Sequence, residues 1–170
     1  EPLLIKDILD YVSYAKRKIC SVNLVTNGYL VSEDFARGLK GIKLDSISIS
    51  LDSLGENNDS IRGMPGAFDK TLGAIRLLQK YAPGVKITVN TVISRQNLDE
   101  LKELSDLTGG LGVLHKFQPV YRHPDFGGVQ KDNQDLSIRS AEDIGKLRSV
   151  IAYLKKKRNV SNSRYFLSCI

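Results

Sequence analysis

Four short polar groups in this sequence have the residue types for holding a polar ligand: Thr26-Asn27-Gly28, Ser50-Leu51-Asp52, Asn90-Thr91 and Gln118-Pro119. A carboxylate accepts hydrogen bonds, a hydroxyl both donates and accepts, and side-chain amides do the same. Taken singly, each group is ordinary turn or capping sequence, since Asn, Asp, Ser and Gly favour such places. Their weight comes from position: each follows a β-like run, so all four fall at strand ends. The other reactive types say less. Cys20 stands at a helix–strand junction, where a structural thiol is expected, and Cys169 reads as a buried residue on a last helix opened by Asn162 or Ser163. His115 begins a strand at the opposite edge and is assigned no chemistry. His123 and Asp125 follow the last strand on the ligand side, but a loop histidine beside Pro124 reads as solvated. Tyr29 and Tyr121 line the ligand side or pack under loops. No residue is assigned a catalytic or metal-binding role.

The elements that must position these groups alternate. Runs SVNLVTN (21–27), DSISISLD (45–52), KITVNTVI (86–93) and KFQPVY (116–121) are β-like, and the segments between them have helical period. Ile5, Ile8, Leu9, Val12 and Ile19 form one apolar stripe. Phe68, Leu72, Ile75 and Leu78 form another, and Leu98, Leu101, Leu104 and Leu107 a third. A last helix is expected over 141–158, with Ile144, Leu147, Ile151 and Leu154 inward. Ser32, Asn97 and Ser140 stand as N-caps before acidic first turns. Alternation at this spacing predicts βαβ units and a parallel sheet. The stretch 122–136 is the one long irregular loop, of a length that tends to be functional or disordered.

Side chains alternate faces along a strand. Ile47, Ile49 and Leu51 therefore share one face, and Ser46, Ser48, Ser50 and Asp52 the other. Thr88 and Asn90 lie opposite Ile87 and Val89, and Gln118 opposite Phe117. Closed parallel barrels fill their interiors with branched apolar residues. Here one face is apolar and the other small and polar, which is costly unless it is solvated or holds a polar ligand. The sheet is expected to curve around a ligand cavity, with the polar groups at the carboxyl edge where parallel α/β folds bind ligands. The inward faces of the two clearest strands carry no lysine.

Composition narrows the class. At 170 residues, 41% hydrophobic and 26% charged, the chain suits one soluble globular domain. No membrane span or signal peptide is visible. Two cysteines make no disulfide framework, so a reducing cytoplasm is the default. The net charge of +6 is dispersed. Its one run, Lys155-Lys156-Lys157-Arg158, ends a predicted helix, where cations complement the dipole, so no nucleic-acid partner is expected.

The order Glu1-Pro2, then TNG after a strand, then SISLDS, Arg62-Gly63, NTVIS and QPV resembles the core of the radical S-adenosylmethionine (SAM) superfamily. It is most similar to the branch with the molybdopterin-cyclising enzymes and the peptide-modifying enzymes bearing auxiliary-cluster domains. The resemblance covers residues 1 to about 121, and it rests on order and placement rather than on any single motif. It implies an incomplete (β/α)6 TIM-like barrel, with residues 1–158 the core and 159–170 the start of a C-terminal extension. Glu1-Pro2 resembles the end of a Gly-Gly-Glu-Pro motif that holds the methionyl amino group of SAM, so the chain is expected to be an internal fragment.

The resemblance implies further roles. Thr26, Asn27 and Gly28 would contact the methionyl part, Ser50 and Asp52 the ribose, and Arg62 the SAM carboxylate or its own loop. Asn90 would face SAM, and Gln118 and Val120 would receive the adenine. The cofactors implied are SAM and a [4Fe–4S] cluster whose Cys-x3-Cys-x2-Cys ligands lie outside this chain. In such enzymes reductive cleavage of SAM, with electrons from a flavodoxin or ferredoxin, gives a 5′-deoxyadenosyl radical that abstracts hydrogen from substrate. The substrate is unassigned, and the chain alone is expected to be inactive. Two other readings compete: a parallel-barrel aldolase or phosphate-binding enzyme, and a non-catalytic ligand-binding barrel.

Overall fold

The computed structural model describes residues 1–120 and 136–170. The four β-like runs form one parallel sheet, in the order of the chain. The strands are β1 (Asn23–Thr26), β2 (Ser46–Ser50), β3 (Lys86–Ile93) and β4 (Leu114–Pro119). β4 starts earlier than expected because Leu114 and His115 already pair with Thr88 and Val89. A turn at Pro2–Leu4 and α1 (Ile8–Lys18) lead into β1. α2 (Glu33–Ile42) joins β1 to β2, α3 (Gly55–Arg62) and α4 (Ala67–Tyr81) join β2 to β3, and α5 (Leu101–Gly110) joins β3 to β4. α6 (Ala141–Leu154) and α7 (Arg164–Cys169) follow. Strand, helix and neighbouring parallel strand repeat, as in part of an α/β barrel.

The helices cover one sheet face. Leu24, Ile47, Ile49 and Val89 pack there against Val12, Phe35, Leu39, Ile75, Leu78 and Leu104. A second cluster joins Ile93 and Phe117 to Leu98, Leu101, Val150, Ile151, Leu154 and Leu167. Each such side chain contributes roughly 1.5–3 kcal/mol of transfer free energy. Gly38 lets α1 come close to α2: a Cβ there would stand 2.4 Å from Leu9 Cδ1.

Capping follows the sequence in part. Ser32 Oγ accepts from the Phe35 N–H at 3.1 Å, and Ser140 Oγ from the Asp143 N–H at 3.0 Å. Ser163 opens α7 in the same way, by accepting from the Phe166 N–H. Asn97 does not cap α5, which begins only at Leu101. Asn162 opens no helix either. Its Oδ1 accepts from the Phe117 N–H at 2.8 Å and its Nδ2 donates to the Phe117 carbonyl at 2.9 Å. With His115 N–H donating to Asn159 O, and Ser161 N–H to His115 O, residues 159–162 cover the outer edge of β4.

Expected burial fails at Ile5, Ile19, Ile144 and Cys169 for local reasons, and the structural thiol expected at Cys20 is exposed. Ile5 and Ile19 are exposed, because each has extended backbone just outside a helical turn and so leaves the helical stripe. α6 stops at Leu154, and Ile144 in its first turn is 38% exposed on the wall of an open apolar groove. Cys20 and Cys169 are both exposed free thiols, Cys169 because it ends a short helix whose inward residue is Leu167. Among the described residues, no helix is long and apolar enough to cross a membrane.

Candidate functional site

At the end of β1, Thr26 and Asn27 meet the first residue of the chain. Glu1 Oε1 accepts from the Thr26 hydroxyl at 2.6 Å and the Leu3 N–H at 3.2 Å, and Oε2 from the Asn27 N–H at 2.7 Å. A carboxylate has about four acceptor positions, so Oε2 keeps one toward solvent. Pro2 begins the turn that carries Glu1 there. Gly28 follows with φ +80, and a Cβ on it would stand 2.9 Å from Ile49 Cγ2, so both backbone angle and space call for glycine. The Thr71 hydroxyl on α4 donates to the Asn27 carbonyl at 3.2 Å and fixes the turn from below.

The ends of β2 and β3 lie beside it. Ser50 is in register with Asn90, and both are half-buried on the face away from the helices. Asp52 is 6% exposed. Its Oδ1 accepts from the Val92 N–H at 2.8 Å, and its Oδ2 pairs with Arg62 Nη2 at 2.9 Å. Burial pushes the Asp52 carboxyl above its ordinary range, against the Arg62 charge and the Val92 N–H. Two buried polar atoms here have no partner among the described residues: Asn90 Oδ1 and Arg62 Nε. Unsatisfied buried groups are uncommon and call for an explanation. Asn27, Tyr29, Ser50, Asn58, Arg62 and Met64 line a cleft of about 10 Å³ at this edge.

The structure thus brings together Glu1, Pro2, Thr26, Asn27, Gly28, Ser50, Asp52, Arg62 and Asn90 at the carboxyl edge of β1 to β3. Gln118 is exposed on the same face, in register with Val92. Val120 donates its N–H to Ile93 O at 3.0 Å and borders the apolar groove instead. Tyr121, His123, Asp125 and most of the 122–136 loop lie outside the described residues.

The polar face is more mixed than expected. Val25 and Val92 are exposed on it. Lys86 and Lys116 share it by register, so the expectation of inward faces without lysine on the two clearest strands fails at Lys86, the first residue of β3. Thr91, grouped with Asn90 in the sequence, points the other way. It is buried, donates to the Leu51 carbonyl, and its hydroxyl lies 2.8 Å from His115 Nε2. His115 is wholly buried against Phe117, with Nδ1 2.9 Å from the Thr108 hydroxyl, and burial lowers its pKa to about 3.

Sequence reasoning gave no role at the site to three residues that organise this edge. Asn58 accepts from the Asp52 N–H at 3.0 Å. Asn97 donates to the Asp52 and Val92 carbonyls at 2.7 and 2.8 Å. Glu100 accepts from Leu54 N–H at 2.9 Å. The available signal was the pair Asn57-Asn58 inside a helix, where asparagine is a weak helix former.

The sequence pattern of the Radical SAM superfamily matches residues 1–108. The chain belongs to that superfamily. It is 37% identical over 133 residues to the mycofactocin maturase MftC of Mycobacterium tuberculosis, covering 74% of this chain and 32% of that protein. It is 35% identical over 107 residues to the Fe-coproporphyrin III synthase of Methanosarcina barkeri, covering 63% of this chain and 26% of that one. The PqqA peptide cyclase of Granulibacter bethesdensis is 29% identical over 133 residues, covering 78% and 35%. The chain therefore spans about a quarter to a third of these relatives. Its fold is that of native anSMEcpe with bound AdoMet and Cp18Cys peptide, at a TM-score of 0.65 and 18% identity, over 91% of this chain and 44% of that one. The parallel sheet with alternating helices is thus part of a radical SAM barrel, as the order of motifs implied.

Proposed function

We propose that this chain forms the S-adenosylmethionine-holding part of a radical SAM enzyme. The observation that carries the reading is the pair of unsatisfied buried atoms, Asn90 Oδ1 and Arg62 Nε, beside the polar strand ends. An acceptor and a cationic donor left without partners suit a ligand bearing hydroxyls and a carboxylate. Glu1 offers its free acceptor position to the methionyl ammonium, beside the Thr26-Asn27-Gly28 turn. Arg62 offers Nε to the methionyl carboxylate while Asp52 orients its other end. Ser50, Asn90 and the remaining acceptor positions of Asp52 take the ribose hydroxyls. Gln118 receives the adenine together with the Val120 carbonyl, since the Val120 N–H is already taken by Ile93.

S-adenosylmethionine beside a reduced [4Fe–4S] cluster supplies a carbon radical that takes hydrogen from substrate. The cluster does not fit this chain's own residues. It has two cysteines, and among the described residues no group of three or more His, Cys, Asp or Glu side chains is arranged to hold a metal. Its ligands belong to a cysteine loop outside the chain, with a flavodoxin- or ferredoxin-type protein as electron donor. One relative is named for a porphyrin and another for a peptide, so this shared edge is assigned to the cofactor rather than to a substrate. The two exposed free thiols suit a reducing cytoplasm.

Asn90→Leu tests the reading. It replaces an unsatisfied buried amide by an apolar group of similar shape, so stability should hold or rise. Binding of S-adenosylmethionine to the complete, cluster-loaded protein should weaken by roughly 1–3 kcal/mol in calorimetry. Unchanged affinity with an intact fold removes Asn90 from the site.

A further inference from the structure

We propose that Glu100 is a positioning residue for the same site: it is outside the residues assigned to the cofactor, yet it holds α3 and, through α3, the Asp52–Arg62 pair. The inference rests on the cofactor reading above. α3 starts behind Leu54, which has no polar side chain to cap it. The cap comes from another loop. Glu100 Oε2 accepts from the Leu54 N–H at 2.9 Å and from the Ser53 hydroxyl, and Oε1 accepts from Asn57 Nδ2 at 3.1 Å. Asn57 Nδ2 also lies 2.8 Å from Ser53 Oγ, which accepts, and 3.2 Å from the Gln96 carbonyl. Every partner of the carboxylate is a donor, so an acceptor-only group is required. Its negative charge at the start of α3 also complements the helix dipole.

α3, fixed in this way, presents two residues to Asp52. Asn58, almost wholly buried, accepts from the Asp52 N–H at 3.0 Å and the Ser53 N–H at 3.4 Å. Arg62, two turns from the start, meets Asp52 Oδ2 at 2.9 Å. From the Glu100 loop itself, Asn97 donates to the Asp52 carbonyl at 2.7 Å. Val92 N–H takes the last oxygen, Oδ1. All four polar atoms of Asp52 are therefore held, two of them from α3 and one from the loop that carries Glu100. Removing the carboxylate frees the start of α3 and lets Asn58 and Arg62 drift together.

The test uses the complete, cluster-loaded protein with S-adenosylmethionine as the probe. Glu100→Ala should raise its Kd about tenfold, the scale of one lost charge-assisted hydrogen bond. Glu100→Gln should behave similarly, because its amide turns a donor toward donors. In an Asp52→Ala background the effect of Glu100→Ala should shrink below about threefold, since the path it acts through is already cut. Leu39→Val, a change in the apolar core on α2 and outside this loop, should lower Tm and leave Kd alone. In the cluster-free protein, amide exchange over residues 53–58 should speed up in both Glu100 variants and stay unchanged in Leu39→Val. A wild type that fails to bind S-adenosylmethionine overturns the cofactor reading. Wild-type binding with unchanged Kd in the Glu100 variants, or full additivity with Asp52→Ala, or unaltered exchange at 53–58, overturns the role of Glu100 alone.

Discussion

At the scale of single residues, His115 shows how completely surroundings set chemistry. The Thr91 hydroxyl faces the Leu51 carbonyl and His115 Nε2, and the Thr108 hydroxyl faces the Ser105 carbonyl and His115 Nδ1. Asn159 Nδ2 serves both the Ser105 carbonyl and Thr108 Oγ1. The neutral ring donates from one nitrogen and accepts at the other, and it ties β3, α5 and β4 together. In the unfolded chain imidazole takes a proton near pH 6.5, but in the fold burial holds it to about 3. Between those values the unfolded state binds the additional proton, so stability falls as pH drops from 6.5 toward 3. The loss is about 1.4 kcal/mol per pH unit for this one group. His115→Gln, compared with wild type by chemical denaturation at several pH values, should lack that component. A doubly protonated His115 seen by nitrogen NMR at pH 6 would contradict the assignment.

At the scale of elements, side chains finish what the backbone leaves undone. β4 has β3 on one side, and on the other a short extended segment whose ladder ends at Ser161. There the amide of Asn162 stands in for a peptide group and serves both polar atoms of Phe117. Phe117 is wholly buried in the second apolar cluster. Asn162→Ala should therefore destabilise the chain by about 1–3 kcal/mol, the cost of leaving such groups unpaired. Asn162→Asp keeps the acceptor and loses the donor, so it should fall between. Denaturant midpoints that do not move would show that water replaces the amide.

At the scale of the whole molecule, the chain presents one layer of helices on a four-stranded sheet whose opposite face is partly polar. β1 pairs only with β2 among the described residues, which leaves a strand edge open to further pairing. Cluster ligands of this kind are cysteine thiolates, and Cys20 and Cys169 lie before β1 and at the end of α7. Residues 1–170, incubated anaerobically with iron and sulfide, should stay colourless and should not cleave S-adenosylmethionine. A longer chain that includes a Cys-x3-Cys-x2-Cys loop should turn brown and release 5′-deoxyadenosine on reduction. A stoichiometric cluster on the short chain would mean that the cysteines have been misjudged.

Strand alternation is local, and it was legible without a structure. A period of two in SISIS and KITVNTVI sorts Ile47, Ile49 and Val89 from Ser48, Ser50 and Asn90, whatever the chain does elsewhere. Helical periodicity did the same for Ile75 and Leu104, and it failed at Ile5 and Ile19, where the backbone is not helical. The order of strand-end motifs was enough to indicate the superfamily. Partnership was not legible, because it depends on which distant atoms the fold brings within about 3 Å. Asn97 and Glu100 read as the start of a helix, and folding turned them into braces for a loop more than forty residues away. Nor did the sequence show that every polar atom of Asp52 already has a protein partner, from α3, Asn97 or Val92, with only the second acceptor positions of its carboxylate left over. Thr91 and His115 looked idle or misplaced, and burial paired them. Sequence specified each residue's donors, acceptors and face; only the packing of the β2–α3 and β3–α5 loops against one another decided which of those groups are already engaged and which are left for a ligand.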